Sequence, residues 1–425
     1  MDKNKQNVYL QILHTELIKA LGCTEPIAVA YAAAKAKEVL GQMPEHVVVE
    51  CSGNIVKNVK GVIVPTTNDM KGIAAAAAVG ITGGDPALKL EVLTPVNEQT
   101  LAEAKKLLAS GAIEEKVLQT PAKLHIIVRM RAGSHSSLVE IIHHHTDIVR
   151  IEKDGEVLLD VPHVDEEEAA MADYQQLDLE DIYEFANTVP MEDIRPLFAE
   201  QVKSNVAIAK EGMKNSYGAQ VGKTLMEIYN DCVETRAAAM AAAGSDARMS
   251  GCEMPVVINS GSGNQGITVS VPVYVFAKEL GKSDEELYRA LCFANLVAIY
   301  QKSKIGRLSA FCGAVNASTG AGAGIAYLKD MSFEEICEVI VNAIGGVAGI
   351  VCDGAKPSCA AKIAAGVQAA EMAIHMVEKQ RGFKNGEGLV KEDAEKTLAC
   401  ICSMAKDGME TTDQVILELM VPSRR

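Results

Sequence analysis

The spacing of the hydrophobic residues changes twice along the chain, which limits the folds that it can adopt. Up to about residue 40, hydrophobic residues recur at helical spacing. From residue 44 the period becomes two, and segments such as HVVVECS, VKGVIVP, LKLEVLT, KLHIIVRMRAG and SSLVEIIHHH predict strands. DIVRIEKDGEVLLD predicts two strands joined at its Asp-Gly pair. Beyond residue 176 the pattern is helical again, with one short apolar stretch. This order predicts an α+β fold: a mainly α-helical core with an inserted subdomain that carries a mainly antiparallel sheet.

We predict three parts in the chain. Residues 1–43 form N-terminal helices that pack on the C-terminal helices and not on the sheet. Residues 44–165 form the α+β subdomain, and residues 166–425 form an all-helical domain. Residues 163–176 are acidic and are interpreted as a helical linker. Several C-terminal helices are rich in Ala and Gly, so we expect their backbones to approach closely.

Composition excludes several classes of function. The 425 residues carry a net charge of −15, only 4% are aromatic, and no basic stripe is visible, which argues against nucleic-acid binding. No apolar run reaches membrane-spanning length, and the N-terminus has no signal-peptide core, so we expect a cytoplasmic protein. In that compartment the 11 cysteines stay reduced, which favours thiol or metal chemistry over disulfides.

Three cysteines stand beside glycines in the stretch between residues 304 and 360. Cys312 begins an Ala- and Gly-rich helix, while Cys352 and Cys359 flank a turn that contains Gly354 and Pro357. We call Cys312, Cys352 and Cys359 the three loop cysteines. Their spacing alone leaves two interpretations open, a metal or iron–sulfur site and ordinary buried thiols. They lack the close CxxC pairs of a closed zinc site, and three ligands without a fourth suggest an open coordination position.

Cys23 lies immediately before a predicted helix that has Pro26 near its first turn. The positive end of a helix favours a thiolate over a thiol, so this position predicts a lowered pKa and a reactive sulfur. Local sequence alone leaves a buried junction cysteine as an equal alternative.

The segment NSGSGNQG stands between a short apolar stretch and a helix, where backbone amides can form an anion-binding nest. A simple glycine turn explains the same pattern. In the binding interpretation the segment holds a substrate carboxylate, and the candidate residues are Ser260, Ser262, Asn264 and Gln265.

Basic residues near the cysteines offer further contacts to an anionic substrate, although solvated surface charge is the more common role of such side chains. The candidates are Lys304 and Lys356, with Lys302 and Arg307 beside them. A run of three histidines, residues 143–145, is better explained as a polar strand end than as a zinc site, because no acid or cysteine pattern accompanies it.

Four motifs together resemble the L-cysteine desulfidase family, which is related to the alpha part of the iron–sulfur L-serine dehydratases. They are GCTEP at residues 22–26, NSGSGNQG at 259–266, AFCGAV around Cys312, and CDGAKPSC from Cys352 to Cys359. The resemblance covers nearly the whole chain. It implies a [4Fe–4S] cluster held by the three loop cysteines in the helical domain, and Cys23 as the catalytic proton acceptor.

The implied reaction is elimination of sulfide from L-cysteine, which gives pyruvate, ammonia and hydrogen sulfide. An iron–sulfur L-serine dehydratase would use the same residues, and a metal-binding or redox-sensing protein without catalysis is a third possibility. Pyridoxal phosphate is disfavoured, because no Schiff-base lysine motif is recognisable. We expect a small amino acid as substrate, no nucleic-acid or membrane partner, and a homo-oligomer, a dimer.

Overall fold

The structure, a computed structural model, describes residues 1–67, 69–162, 173–306 and 309–420. Its N-terminal half contains α1 (Lys3–Glu16), β1 (Lys19–Leu21), α2 (Thr24–Leu40), β2 (His46–Ser52), α3 (Gly53–Val59), α4 (Ile73–Gly83), a 3-10 helix (Pro86–Glu91), α5 (Glu98–Ala109), β3 (Ile113–Leu118), β4 (His125–Ala132), β5 (His135–Ile142), β6 (Ile148–Lys153) and β7 (Glu156–Asp160). The acidic linker predicted at residues 163–176 lies largely outside the described residues, which resume at residue 173.

The C-terminal half is helical apart from one short strand, as its spacing predicted. It contains α6 (Leu179–Thr188), α7 (Met191–Lys214), α8 (Val221–Ile228), α9 (Val233–Met249), β8 (Pro255–Val257), α10 (Gly263–Glu279), α11 (Asp284–Ile305), α12 (Gly313–Leu328), α13 (Phe333–Val347), α14 (Cys359–Glu378), α15 (Ala394–Ser403) and α16 (Glu410–Met420). The predicted α+β class with a helical core is therefore confirmed. No helix in the described ranges is long and apolar enough to span a bilayer.

The sheet has the strand order β3-β2-β4-β5-β6-β7. Every pair is antiparallel except β2 and β3, which run parallel. The β6–β7 hairpin turns at Asp154 and Gly155, whose φ angles of 52° and 86° fit the type I′ turn that an Asp-Gly pair favours. The sheet is thus mainly antiparallel, as the period-two segments predicted.

Two predicted strands are absent from the structure. VKGVIVP begins at the end of α3 and continues as a buried turn, where Gly61 and Pro65 interrupt any ladder. LKLEVLT overlaps the 3-10 helix. Asp85 caps the first turn of that helix, where its side chain accepts a hydrogen bond from the amide of Ala87 at 2.9 Å. Both segments alternate apolar residues as strands do, but local turn chemistry decides their structure.

The prediction that the N-terminal helices pack on the helical half and not on the sheet is wrong for α2. This helix contacts α4 and strands β4, β5 and β6, whereas α1 contacts α7 and α11. The Ala-rich α2 is buried along most of its length, so one face can cover the sheet while its N-terminus reaches the helical half. Pairing of β1 with β8 fixes that N-terminus in place.

Small residues allow the helices around α12 to pack closely, as their composition predicted. A Cβ on Gly320 would lie 2.5 Å from the carbonyl oxygen of Ala294 in α11, and one on Gly366 of α14 would lie 2.6 Å from Ser318 Oγ of α12. Helix α12 is buried almost throughout and also contacts α10 and α13. This packing holds the N-termini of α12 and α14 next to each other.

Candidate active site

Four helix N-termini face one cavity of about 100 Å³, which is room for several waters or a small ligand. Cys23 caps α2, Ser262 caps α10, Cys312 caps α12, and Cys359 is the first residue of α14. The cavity is lined by the side chains of all four. Because a helix N-terminus carries a partial positive charge, this convergence favours anions such as thiolates and carboxylates.

Backbone pairing sets the positions of the three loop cysteines. Phe311 and Val351 form an isolated antiparallel bridge, in which the amide of Cys312 donates to Ile350 O at 3.1 Å and that of Cys352 to Ala310 O at 2.6 Å. Gly354 then turns the chain toward Cys359 with a φ of 93°. A Cβ there would lie 2.5 Å from the carbonyl oxygen of Lys57, so the turn needs glycine.

The three loop cysteines are close enough to affect one another electrostatically. Burial, with a smaller contribution from Cys352, raises the pKa of the Cys312 thiol to about 12. Burial also raises the pKa of Cys359, and the charge of Cys352 adds to that rise. The thiols of Cys312 and Cys359 therefore ionise together only when a cation compensates their charge.

The chemistry of this donor set fits an iron–sulfur cluster. Thiolates are the usual ligands of such clusters, and all three sulfurs line the same cavity. Among the described residues, no group of three or more His, Cys, Asp and Glu side chains is arranged to hold a metal ion.

The Cys23 side chain is 2% exposed and packs in a small apolar cluster with Val62 and Met249, against which Cys359 also packs. Its Sγ donates to Glu25 Oε2 at 3.2 Å. Burial and the negative charge of Glu25 raise the pKa of this thiol well above its usual range. The predicted lowering is therefore wrong: the helix N-terminus contributes about 0.3–1 kcal/mol, less than the cost of burying a thiolate.

Glu25 is the acceptor for that thiol. Burial raises the pKa of the Glu25 carboxyl, but the charge of His145 and hydrogen bonds from Cys23 and Thr24 lower it to a net value below the usual range. Asn58 donates to the other oxygen at 3.1 Å. Glu25 is thus held as a carboxylate that accepts a hydrogen bond from the Cys23 thiol.

The cavity lining is more basic than acidic. Within the described part of the chain it contains Lys57, Arg248 and Lys302 against one carboxylate, Glu25. Lys57 is 1% exposed and forms a buried ion pair with Asp413 of α16. Such a lining suits a substrate that carries a negative group.

The structure brings most of the predicted site residues together. Cys23, the three loop cysteines, Ser262, Asn264 and Gln265 all line the cavity. Ser262 Oγ accepts from the amide of Gln265, and the Thr24 hydroxyl contacts the carbonyl oxygen of Gly261 at 2.9 Å. The NSGSGNQG segment therefore joins the N-termini of α2 and α10.

Three predicted substrate-binding residues do not line the cavity. Ser260 sits in the turn with a φ of 50° and donates to Asn259 Oδ1 at 2.8 Å. Lys304 is exposed and places its Nζ 4.4 Å from the ring centroid of Tyr300. Lys356 donates to carbonyl oxygens of its own loop, at 2.7 Å to that of Asp353. Arg307, the fourth basic candidate, lies outside the described residues.

Several lining residues were missed by the sequence analysis. They are Glu25, Asn54, Lys57, Asn58, Arg248 and Ser309. Glu25 belongs to the GCTEP motif, so its presence was visible. Helix α3 contributes three of them, Asn54, Lys57 and Asn58, which have the spacing of one helix face. This helical spacing is hard to recognise in the sequence, because the segment directly follows a strand and resembles its end.

Comparison with known proteins shows the family of this chain. A family model described as the serine dehydratase alpha chain matches residues 87–418. A UPF0597 protein of Lachnoclostridium phytofermentans is 55% identical over 97% of this chain and 99% of its own. A UPF0597 protein of Treponema denticola is 45% identical over 99% of this chain and 99% of its own. A UPF0597 protein of Desulfitobacterium hafniense is 48% identical over 97% of this chain and 96% of its own.

Proposed function

Because the chain belongs to the serine dehydratase alpha-chain family, we propose that it is a [4Fe–4S]-dependent lyase that eliminates sulfide from L-cysteine. The products are pyruvate, ammonia and hydrogen sulfide. The observation that carries the proposal is the common cavity of Cys23 and the three loop cysteines, which come from opposite ends of the chain.

The three loop cysteines would hold the cluster. When bound, it supplies a Lewis acid that stabilises the leaving sulfur. The rest of the chemistry belongs to the side chains of the cavity, which exclude water, hold the substrate and move a proton.

Cys23 is the proposed base. Its thiol must release its proton to water before it can act; burial and the charge of Glu25 oppose that loss, and the charge of Arg248 favours it. The resulting thiolate takes the α-proton, the Cα–H electrons form a Cα–Cβ double bond, and the Cβ–S bond breaks with its electrons on sulfur. The aminoacrylate product tautomerises to an imine, which water hydrolyses to pyruvate and ammonia.

The second candidate is an L-serine dehydratase, which loses hydroxide in place of sulfide. The description of the matched family supports it. The same base, cavity and cluster ligands serve both reactions, so the leaving group distinguishes them.

The test is an anaerobic purification followed by iron and sulfide analysis and by assays of pyruvate and free sulfide. The first proposal predicts iron and acid-labile sulfide in the protein, and release of sulfide and pyruvate from L-cysteine at equal rates. Faster release of pyruvate from L-serine than from L-cysteine would favour the second candidate. A loaded protein that turns over neither amino acid would contradict both.

A further inference from the structure

Among the described residues, no carboxylate pairs with a guanidinium that is buried in the cavity. Arg248, near the end of α9, is 2% exposed and lines the cavity beside Cys23. Its Nη1 donates to Asn264 Oδ1 at 3.1 Å, and its Nε has no hydrogen-bond partner among the described residues. Within those residues Arg248 also forms no ion pair with a carboxylate. A buried arginine without an anion is costly, so an unpaired one in a cavity points to an anionic ligand.

Glu25, the one carboxylate in the described lining, does not fill this role. Glu25 interacts with Asn58, Thr24 and Cys23. Arg248 instead approaches the positive end of α10, where a Cβ on Gly263 would lie 2.3 Å from the guanidinium Nε. Two positive groups in contact repel unless an anion lies between them.

A second unpaired group lies in the same cavity. Gln265, in the first turn of α10, is 6% exposed, and its Oε1 has no hydrogen-bond partner in the described part of the chain. Its side chain packs against Gly313, where a Cβ would lie 2.6 Å from the Gln265 amide carbon. Among the described residues, the cavity lining thus contains an unpaired donor, Arg248 Nε, and an unpaired acceptor, Gln265 Oε1.

Resting on the proposed function, we propose that Arg248 binds the α-carboxylate of the substrate and that Gln265 Oε1 accepts a hydrogen bond from its α-ammonium group. A guanidinium matches a carboxylate with two parallel hydrogen bonds, which fixes the orientation as well as the position. The pair makes the cavity specific for α-amino acids and leaves the side chain of the substrate toward the three loop cysteines. Arg248 is then the main determinant of specificity for a carboxylate.

The test compares the wild type with Arg248→Met and Asn264→Asp in the cluster-loaded protein. KM for L-cysteine should rise at least about 30-fold in Arg248→Met, the loss expected when one partner of a buried charge pair is truncated. Asn264→Asp supplies a carboxylate from the protein itself, next to the guanidinium, so it should fold and yet compete with the substrate. Arg195→Met, at an exposed position of α7, is the matched control and should leave KM unchanged.

Calorimetric titration with L-alanine, which has both α-groups but no leaving group, gives a readout independent of turnover. The proposal predicts that L-alanine binds the wild type and Arg195→Met, and that binding is lost in Arg248→Met and Asn264→Asp. If the wild type binds L-alanine, Arg248→Met does not, and the wild type turns over no amino acid, the binding assignment stands and the proposed function fails. If both variants keep KM and L-alanine affinity within about 3-fold of wild type, the assignment is overturned, whatever the activity.

Discussion

Replacing Glu371 with glutamine should stabilise the protein at neutral pH. Glu371 lies on α14, is 5% exposed, and has an Oε1 without a hydrogen-bond partner in the described residues. Burial, with the charges of Glu234 and Cys232 nearby, raises its pKa to about 9. The carboxyl must therefore take up a proton when the chain folds at pH 7.

The pKa values give the size of this effect. The folded pKa lies above the ordinary value of 4.5, so the stability that the group contributes is complete below pH 4.5 and is lost as the pH rises to about 9. At pH 7 the loss covers about 2.5 pH units, or about 3 kcal/mol at 1.36 kcal/mol per unit. Glutamine needs no proton, so Glu371→Gln should recover up to about that amount at pH 7.

Urea unfolding at pH 5, 7 and 8.5 measures this difference. The free energy of unfolding of Glu371→Gln minus that of the wild type should be small at pH 5 and should increase with pH. Glu338→Gln, at an exposed position of α13, is the control and should differ from the wild type by less than about 0.5 kcal/mol. A Glu371→Gln difference that is independent of pH would refute the reasoning.

Three further predictions concern the cavity. Alanine at any one of the three loop cysteines should abolish cluster loading, measured as iron and acid-labile sulfide, whereas Cys292→Ala, within the buried part of α11, should keep the iron. Cys23→Ser should keep the iron but lower turnover roughly 100-fold or more, the scale for a lost general base; an unchanged rate would exclude Cys23 as the base. Asp413→Asn should lower the free energy of unfolding by about 3–5 kcal/mol, because Lys57 remains buried without its partner. The double change Lys57→Met with Asp413→Leu should recover most of that loss, and an equal loss in the double variant would contradict the ion-pair explanation.

The sequence predicts the fold where local signals agree with the packing. Helices α11 to α14 and strands β4 to β7 fall where the hydrophobic spacing places them. Strand β3 was missed because it is an exposed edge strand with a polar sequence, IEEKVL, so no alternation marks it. Helix α3 was missed because its Val and Ile residues favour strands and its polar residues face the cavity rather than solvent.

The site was predicted where motifs carry the chemistry. The cysteines and the NSGSGNQG segment are recognisable by residue type and by the turns around them. Arg248 gives no such signal, because it lies in a helix whose final turns are buried. Only the tertiary structure shows that its Nε has no hydrogen-bond partner among the described residues. The pKa of Cys23 was misjudged for a similar reason: the helix N-terminus is visible in the sequence, but burial and the Glu25 charge depend on packing.

The most direct test of the central claim is a Mössbauer spectrum of the protein loaded anaerobically with iron-57, recorded with and without L-cysteine. The claim is that the three loop cysteines hold a four-iron cluster with one iron open to substrate. It predicts about four iron atoms per chain, of which one changes its spectrum when L-cysteine is added. A protein that binds no iron–sulfur cluster, or a spectrum in which L-cysteine changes none of the iron sites, would contradict it.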